Sequence, residues 1–143
     1  MAMVIALLAK DWGDPNIGFQ VLFYPETDAN FETPSYRELA TWHFLTRKVM
    51  KWFWDNYLPE EEQWKRPSAS PLRASISQLK GLPPALVITV SLTLRDEDEA
   101  YAHKLNEAGV ALRQYNFSGA TTISWCSKKY RHSYPQERNH ARQ

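Results

Sequence analysis

Two almost uninterrupted apolar stretches, residues 17–24 and 85–90, restrict the folds that this chain can adopt. Such stretches are typical of strands in a parallel sheet that is covered on both faces. A third stretch, residues 110–117, contains the β-favouring residues Val110, Tyr115 and Phe117. We therefore predict three strands, of which the first two are buried on both faces.

Each predicted strand is preceded by a helical segment. Residues 1–10 form the first predicted helix. Because no capping residue precedes them, we expect the complete helix to begin upstream of residue 1. Thr46 can cap a second helix over residues 47–57. The alternation of helices and strands predicts an α/β fold in which right-handed crossovers join parallel strands.

The third helix has signals at both of its ends. Asp96, followed three residues later by Glu99, has the spacing of a capping box at the start of the helix. Gly109 supplies a residue that can adopt the left-handed conformation at its end. Between the second helix and the second strand, residues 60–84 are rich in proline and can hold only short helical turns.

The composition indicates one globular domain. The chain has 143 residues, of which 43% are hydrophobic and 23% charged, and its net charge of +1 is too small for a polyanion-binding surface. The single cysteine, Cys126, cannot form an internal disulfide, so we expect a reducing compartment, the cytoplasm. The apolar run over residues 1–9 is about half as long as a membrane span, and we expect neither an anchor nor a signal peptide.

The sequence changes character after Gly119. Residues 120–143 contain five cations against the single acid Glu137 and have neither helical nor strand periodicity. Trp125, Tyr130 and Tyr134 lie among these cations, and such a pattern can stack nucleic-acid bases. No recognised binding motif accompanies them, so we expect no nucleic-acid partner. The sequence thus predicts a folded part over residues 1–119 and an irregular basic tail over residues 120–143.

Several short motifs agree with one register across the folded part. They are Leu22-Phe23-Tyr24-Pro25 with Thr27-Asp28, Phe44-Leu45-Thr46, Trp52 to Pro59, Ser68-Ala69-Ser70-Pro71-Leu72, Gly81-Leu82-Pro83-Pro84-Ala85, and Leu94-Arg95-Asp96-Glu97 with Glu99-Ala100-Tyr101. In order and spacing they resemble the hormone-sensitive-lipase-like branch of the α/β-hydrolases, which includes bacterial acetyl esterases and arylesterases. The resemblance implies the C-terminal part of an α/β-hydrolase sheet, incomplete and made of about three parallel strands with helices.

The resemblance also implies an activity for the intact protein. Members of this family hydrolyse short-chain carboxylic esters with a Ser-His-Asp triad and need no metal or organic cofactor. Their serine lies in a G-x-S-x-G turn, and an HGGG-type loop helps to form the oxyanion hole. The five glycines of this chain have neither spacing. Residues 1–4 align with the helix that follows the serine turn, so we expect the front of the domain to be missing.

The acid of the triad also lacks an equivalent. In the family it follows the strand that corresponds to residues 85–90, whereas residues 90–94 form a shorter segment here and contain no carboxylate. Asp96 is the nearest substitute, but its position favours helix capping over catalysis.

The family's histidine lies in a Gly, polar step, His-Asp-Phe pattern that residues 119–127 do not contain. One back-translation of this segment, G GCG ACC ACG ATT TCG TGG TGC TCA A, reads in another frame as Gly-Asp-His-Asp-Phe-Val-Val-Leu. We therefore hypothesise a frameshift after Gly119, which the nucleotide sequence would test.

The remaining candidate side chains favour structural roles. Trp52, Phe53 and Trp54 could line an acyl pocket, but their helical spacing favours ordinary packing. His43 and His103 have no triad or ligand partner at a useful spacing, and we expect both to be solvated.

Two further features carry no predicted site. Cys126 has no nearby base, and Glu60-Glu61-Glu62 fits a solvated loop better than a metal site. We therefore assign no catalytic, cofactor-binding or metal-binding residue.

We accordingly predict a fragment of a carboxylic-ester hydrolase that has no activity of its own. The alternative is a non-catalytic half-domain or pseudoenzyme that binds a partner. In both cases an exposed sheet edge would favour self-association.

Overall fold

A computed structural model describes residues 1–13, 16–39, 45–90 and 93–117. The predictions for His43, Cys126 and the tail fall outside these ranges. The elements within them, in chain order, are α1 (Ala2–Asp11), β1 (Gln20–Phe23), α2 (Pro34–Glu38), α3 (Arg47–Tyr57), α4 (Glu61–Trp64), a 3₁₀ turn (Pro71–Arg73), α5 (Ile76–Leu79), β2 (Ala85–Val90), α6 (Arg95–Glu107) and β3 (Leu112–Phe117).

The three strands form one parallel sheet in the order β1-β2-β3, which confirms the predicted fold class. Gln20 of β1 pairs with Ala85 of β2, and Ala85 pairs with Leu112 of β3. The central strand β2 has the predicted bounds, whereas β1 and β3 begin three and two residues later than predicted.

One face of the sheet is covered by α1 and α6. Leu22, Ala85 and Val87 of the sheet belong to a single buried apolar cluster with side chains of these two helices. The helical members are Met3, Ala6, Leu7, Tyr101, Ala102 and Leu105. Burial of this face joins α1, at the start of the described chain, to α6 near its end.

The prediction that β1 is buried on both faces is wrong for the described chain. Its residues alternate between buried and exposed, and the side chains of Val21 and Phe23 are 44% and 45% exposed. The described helices leave this side of β1 open, so its continuous apolar sequence is only half covered.

The ends of the longer helices test the sequence signals directly. Thr46 caps α3 as predicted, because its Oγ1 accepts the Val49 N–H at 3.3 Å. The capping box predicted for α6 is wrong: Leu94 occupies the N-cap position without a side-chain cap bond, and Asp96 and Glu99 lie inside the helix.

Gly109 ends α6 as predicted. Its φ of +75° lies in the left-handed region. This conformation lets the Gly109 N–H donate to Asn106 O at 2.9 Å and the Val110 N–H donate to Leu105 O at 3.0 Å. The last turn of the helix is therefore closed by backbone hydrogen bonds of the Schellman type.

A second apolar cluster lies under the loops between β1 and β2. It contains Phe31, Tyr36, Met50, Trp54, Trp64 and Leu94. Its rings meet edge-on or tilted, with centroid separations of 5.7 Å for Phe31–Tyr36 and 5.9 Å for Trp54–Trp64. Such aromatic packing fixes α2, α3 and α4 relative to one another although each of the three contributes only one or two buried side chains.

Among the described residues, none of the helices has the length and hydrophobicity needed to cross a bilayer.

We predict that Gly109→Ala lowers the free energy of unfolding by about 1 kcal/mol, because a Cβ is unfavourable at this φ. The space around the new Cβ is open, so backbone strain is the only cost. Gly18→Ala is the matched control, since Gly18 also has open space and has no positive φ. Urea unfolding measures both variants, and an equal loss of stability in the two would contradict this explanation.

Candidate functional site

Several polar and aromatic side chains of the described chain lie near the carboxyl end of β1. In open parallel sheets, ligands bind beyond the carboxyl ends of the strands. Residues 24–28 follow β1, and residues 93–96 come shortly after the end of β2. The residues directly after β3 lie outside the described ranges. We therefore take the surroundings of residues 24–28 as the candidate site.

A cavity of about 490 Å³ opens beside this end of β1. Its walls come from the first turn of α1, from β1 and the residues after it, from one side of α3, and from residues 68–71 at the start of the 3₁₀ turn. The lining side chains used below are Met1, Val21, Phe23, Phe53, Trp54 and Tyr57. The cavity is thus mainly apolar and aromatic, which is typical of sites for small organic molecules.

Glu26 supplies the carboxylate of the cavity wall. The indole Nε1–H of Trp54 donates to its Oε1. Burial raises the pKa of the Glu26 carboxyl, and the hydrogen bond from Trp54 opposes this effect only in part. The sequence analysis did not single out Glu26, because a lone glutamate between a proline and a threonine in a loop has no distinctive spacing.

Asp28 holds the loop after β1 against the 3₁₀ turn. Its Oδ1 accepts the Nε–H of Arg73 at 2.6 Å and the backbone N–H of Ala29 at 2.9 Å. The Asp28 side chain is 11% exposed, so this ion pair is better shielded from water than a surface pair. Its role in the structure is to position the loop.

Asp96 has a similar positioning role. Its Oδ2 accepts the backbone N–H of Ser35 at 2.7 Å, and its Oδ1 accepts the Nε–H of Arg95 at 2.8 Å. Burial acts to raise the pKa of Asp96, but the bonds from Ser35 and Arg95 outweigh it and lower the pKa. Asp96 therefore joins α2 to α6 through the start of α2, and not as the predicted cap of its own helix.

Two acidic residues next to Asp96 are buried, and no cation within the described ranges forms an ion pair with either of them. Glu97 accepts the Thr27 N–H on Oε1 at 3.1 Å, while its Oε2 has no hydrogen-bond partner among the described residues. Asp98 is fully buried, and neither of its carboxyl oxygens has a partner in the described chain. Chiefly through burial, the pKa of Glu97 rises to about 10 and that of Asp98 to about 9. Both side chains are therefore neutral acids at pH 7.

The aromatic residues of α3 divide between packing and the cavity. Trp54 is buried in the second apolar cluster, which confirms packing for that residue, and it also lines the cavity. Packing is wrong for Trp52 and Phe53, which are 60% and 47% exposed, and Phe53 lines the cavity instead. Part of the apolar side of α3 stays exposed, because the described chain provides no surface that covers it.

The other predicted candidates are solvated where they are described. His103 is 75% exposed and its Nδ1 lies 3.5 Å from Glu107 of the same helix. Glu60, Glu61 and Glu62 are exposed, and no group of three or more His, Cys, Asp or Glu residues that could hold a metal is found in the described part of the chain.

The described ranges do not bring a hydroxyl nucleophile and a base together. The buried hydroxyls near the site are held by backbone oxygens: Ser35 Oγ donates to Thr93 O at 2.7 Å, and Ser70 Oγ donates to Trp64 O at 2.6 Å. Acyl transfer through a serine needs a hydroxyl within hydrogen-bond reach of a base. The site can therefore hold an apolar group, but the described residues do not activate a nucleophile.

Stability should depend on pH through Glu97 and Asp98. A carboxyl whose pKa is raised on folding keeps its proton in the folded state, while in the unfolded chain it ionises near its ordinary pKa of 4.5 for Glu or 3.8 for Asp. Stability is then fully present below the unfolded pKa and falls as the pH rises towards the folded pKa. We expect the free energy of unfolding to decrease by on the order of 1 kcal/mol per pH unit for each such group between about pH 5 and pH 8.

Asp98→Asn should remove one of these contributions, because the amide does not ionise. Asp55→Asn is the matched control, since Asp55 is an exposed partner of Lys51. Urea unfolding from pH 5 to pH 8 should give a shallower pH dependence for the Asp98 variant alone. Identical slopes in all three proteins would show that Asp98 ionises in the folded state.

The fold has known relatives. A family model described as alpha/beta hydrolase fold matches residues 1–122. Carboxylesterase NlhH of Mycobacterium tuberculosis is 36% identical over 120 residues, which are 81% of this chain and 37% of the relative. Gibberellin receptor GID1A of Arabidopsis thaliana is 32% identical over 120 residues, which are 82% of this chain and 34% of the receptor.

A solved structure extends the comparison to three dimensions. The thermostable esterase from Pseudomonas putida ECU1011 superposes with a TM-score of 0.78 at 56% identity, over 80% of this chain and 36% of that esterase. The chain spans about a third of the length of these relatives. It belongs to the α/β-hydrolase fold family, in the hormone-sensitive-lipase-like branch that contains carboxylesterases.

Proposed function

We propose that this chain is the C-terminal part of a carboxylic-ester hydrolase and does not hydrolyse esters on its own. The observation that carries the proposal is the combination of esterase-like packing with a site that lacks a paired nucleophile and base among the described residues. The 56% identity to a solved esterase supports the enzyme class. The share of that esterase that the chain covers, 36%, supports the view that further polypeptide is needed for activity.

The intact enzyme would act on small esters of short-chain acids without a metal or an organic cofactor. The apolar cavity beside β1 supports an uncharged substrate, because its walls offer aromatic surface and a single carboxylate. The attacking serine, its histidine and its acid would come from parts of the fold that the described residues do not contain. Within this proposal, the described chain supplies scaffold and part of a pocket wall.

The alternative function is binding without catalysis. A relative with 32% identity is named a gibberellin receptor, and the same fold can therefore carry a binding function. Under this alternative the chain would be a half-domain or pseudoenzyme whose apolar surface binds a partner.

Three further parts of the proposal concern the location of the protein, the origin of its tail and its self-association. We place the protein in the cytoplasm, on the basis of its single Cys126. We attribute the composition of residues 120–143 to a frameshift, which sequencing of the gene would test. We also propose that isolated chains associate weakly through the open edge of β1, since unprotected edges pair with one another.

Purified protein should hydrolyse p-nitrophenyl acetate and p-nitrophenyl butyrate only at the background rate, because no activated nucleophile is available. The esterase from Pseudomonas putida ECU1011, assayed in parallel, is the positive control. A fluorophosphonate probe should label that esterase and leave this chain unlabelled. Saturable turnover that the fluorophosphonate abolishes would refute the proposal.

A further inference from the structure

Tyr24, the residue directly after β1, has a backbone conformation that side chains rarely adopt. Its φ of +37° is the only positive value among the non-glycine residues that the structure describes. A Cβ is unfavourable in this left-handed region, and the proline that follows Tyr24 disfavours compact conformations of the residue before it. Strain of this kind persists only where the surrounding contacts enforce it.

The backbone is fixed on the strand side of Tyr24. The Tyr24 N–H donates to Ile88 O at 2.7 Å, so Tyr24 still pairs with β2 although β1 ends at Phe23. Pro25, directly after it, is buried and lines the cavity. The change of direction from the sheet to the cavity wall therefore falls on Tyr24.

Three hydrogen bonds of Thr27 fix the backbone on the other side. The Thr27 N–H donates to Glu97 Oε1 at 3.1 Å, and the Thr27 hydroxyl donates to Glu97 O at 3.1 Å. The carbonyl oxygen of Thr27 accepts the Leu72 N–H at 3.0 Å. Thr27 itself is fully buried. We call these three bonds the Thr27 clamp.

Glu26 lies between the strained residue and the Thr27 clamp. Its side chain lines the cavity, and its Oε1 accepts the Nε1–H of Trp54. Trp54 belongs to α3, so this bond joins the segment after β1 to the opposite wall of the cavity. The Trp54 indole N–H therefore reports whether Glu26 is in place.

We propose that residues 25–27 form a gate for the cavity, which the strain at Tyr24 biases towards opening and the Thr27 clamp keeps closed. Opening moves Pro25 and Glu26 away from the cavity and lets Tyr24 return to an extended conformation. Because the strain is released in the open state, the gate opens locally, without unfolding of the sheet. This inference goes beyond the proposed function, since it concerns the access of small apolar molecules to the cavity and makes no use of hydrolysis.

Native-state hydrogen exchange of the full chain, followed by NMR at low concentrations of urea, tests the gate. The Thr27 N–H and the Trp54 Nε1–H are the gate protons, and the Val87 N–H in the central strand reports global unfolding. We expect the two gate protons to share one opening free energy that hardly depends on urea, because local opening exposes little surface. The Val87 N–H should exchange more slowly and with a steep dependence on urea.

A second indole provides an internal control. The Trp64 Nε1–H donates to Leu58 O at 2.7 Å and has no bond to residues 25–27. Trp64 is buried to about the same degree as Trp54, with 7% and 5% of their surfaces exposed. Its exchange rate should change less than about twofold in each variant described below.

The variants Tyr24→Gly and Tyr24→Ala isolate the strain. Both remove the aromatic ring, but only glycine also removes the Cβ that makes a positive φ unfavourable. We expect the gate protons to exchange about fivefold more slowly in the glycine variant than in the alanine variant. Equal rates in the two variants would show that Tyr24 stores no strain in the closed gate.

Thr27→Val tests the clamp, because valine has nearly the size of threonine and lacks its hydroxyl. We expect the gate protons to exchange about fivefold faster in this variant. Thr93→Val is the matched control, since the buried Thr93 hydroxyl donates to Leu45 O at 2.8 Å, away from the gate. This control should change the rates of the gate protons less than about twofold.

Three results would overturn the inference: gate protons that exchange only together with Val87, equal rates in the two Tyr24 variants, or equal effects of the two valine substitutions. The first comparison uses the unmodified chain, so it decides the question even where a variant fails to fold. Ester hydrolysis enters none of these measurements. A failure of the gate is therefore distinguishable from a failure of the proposed function.

Discussion

The central position of β2 between two parallel neighbours is the constraint from which the rest of the structure follows. All six residues of β2 pair with β3 and four of them pair with β1. Parallel pairing of this kind requires each connection to cross from one end of the sheet to the other. The connection from β2 to β3 does this with α6, whereas the connection from β1 to β2 is long and contains α3 and several shorter helices. The second apolar cluster and the candidate site both depend on that longer connection.

Side chains of α6 join the sheet to the loop that follows β1. Tyr101, Ala102 and Leu105 pack on the sheet, while Glu97 binds the backbone of Thr27 in the loop after β1. Asp96 at the start of the same helix binds the backbone of Ser35. The carboxyl groups of Asp96 and Glu97 thus give N–H groups of this irregular loop buried acceptors. The cost is that Glu97 and Asp98 must stay protonated, which links the loop, and with it the cavity wall, to pH.

Local signals in the sequence predicted those features whose physics is local. Thr46 caps α3 and Gly109 ends α6 because a cap needs only residues within one turn. The burial of Glu97 and Asp98 had a weaker signal: they lie four residues before Tyr101 and Ala102, on the face of α6 that packs inward. The predicted capping box, with Asp96 as the cap, placed the start of the helix two residues too late. The role of Asp96 is set by the hydrogen bond that it accepts from the Ser35 N–H. This contact is distant in sequence, so no local pattern predicts it.

The sequence by itself determined the class of the fold, the three parallel strands and the family to which they belong, because apolar runs, turn residues and caps act over a few positions. Tertiary structure alone decided which apolar side chains are covered. Val21 and Phe23 have the same hydrophobic character as the buried residues of β2, yet they remain half exposed. Burial is a property of what packs against a residue, and for β1 the described chain provides such a surface on only one face.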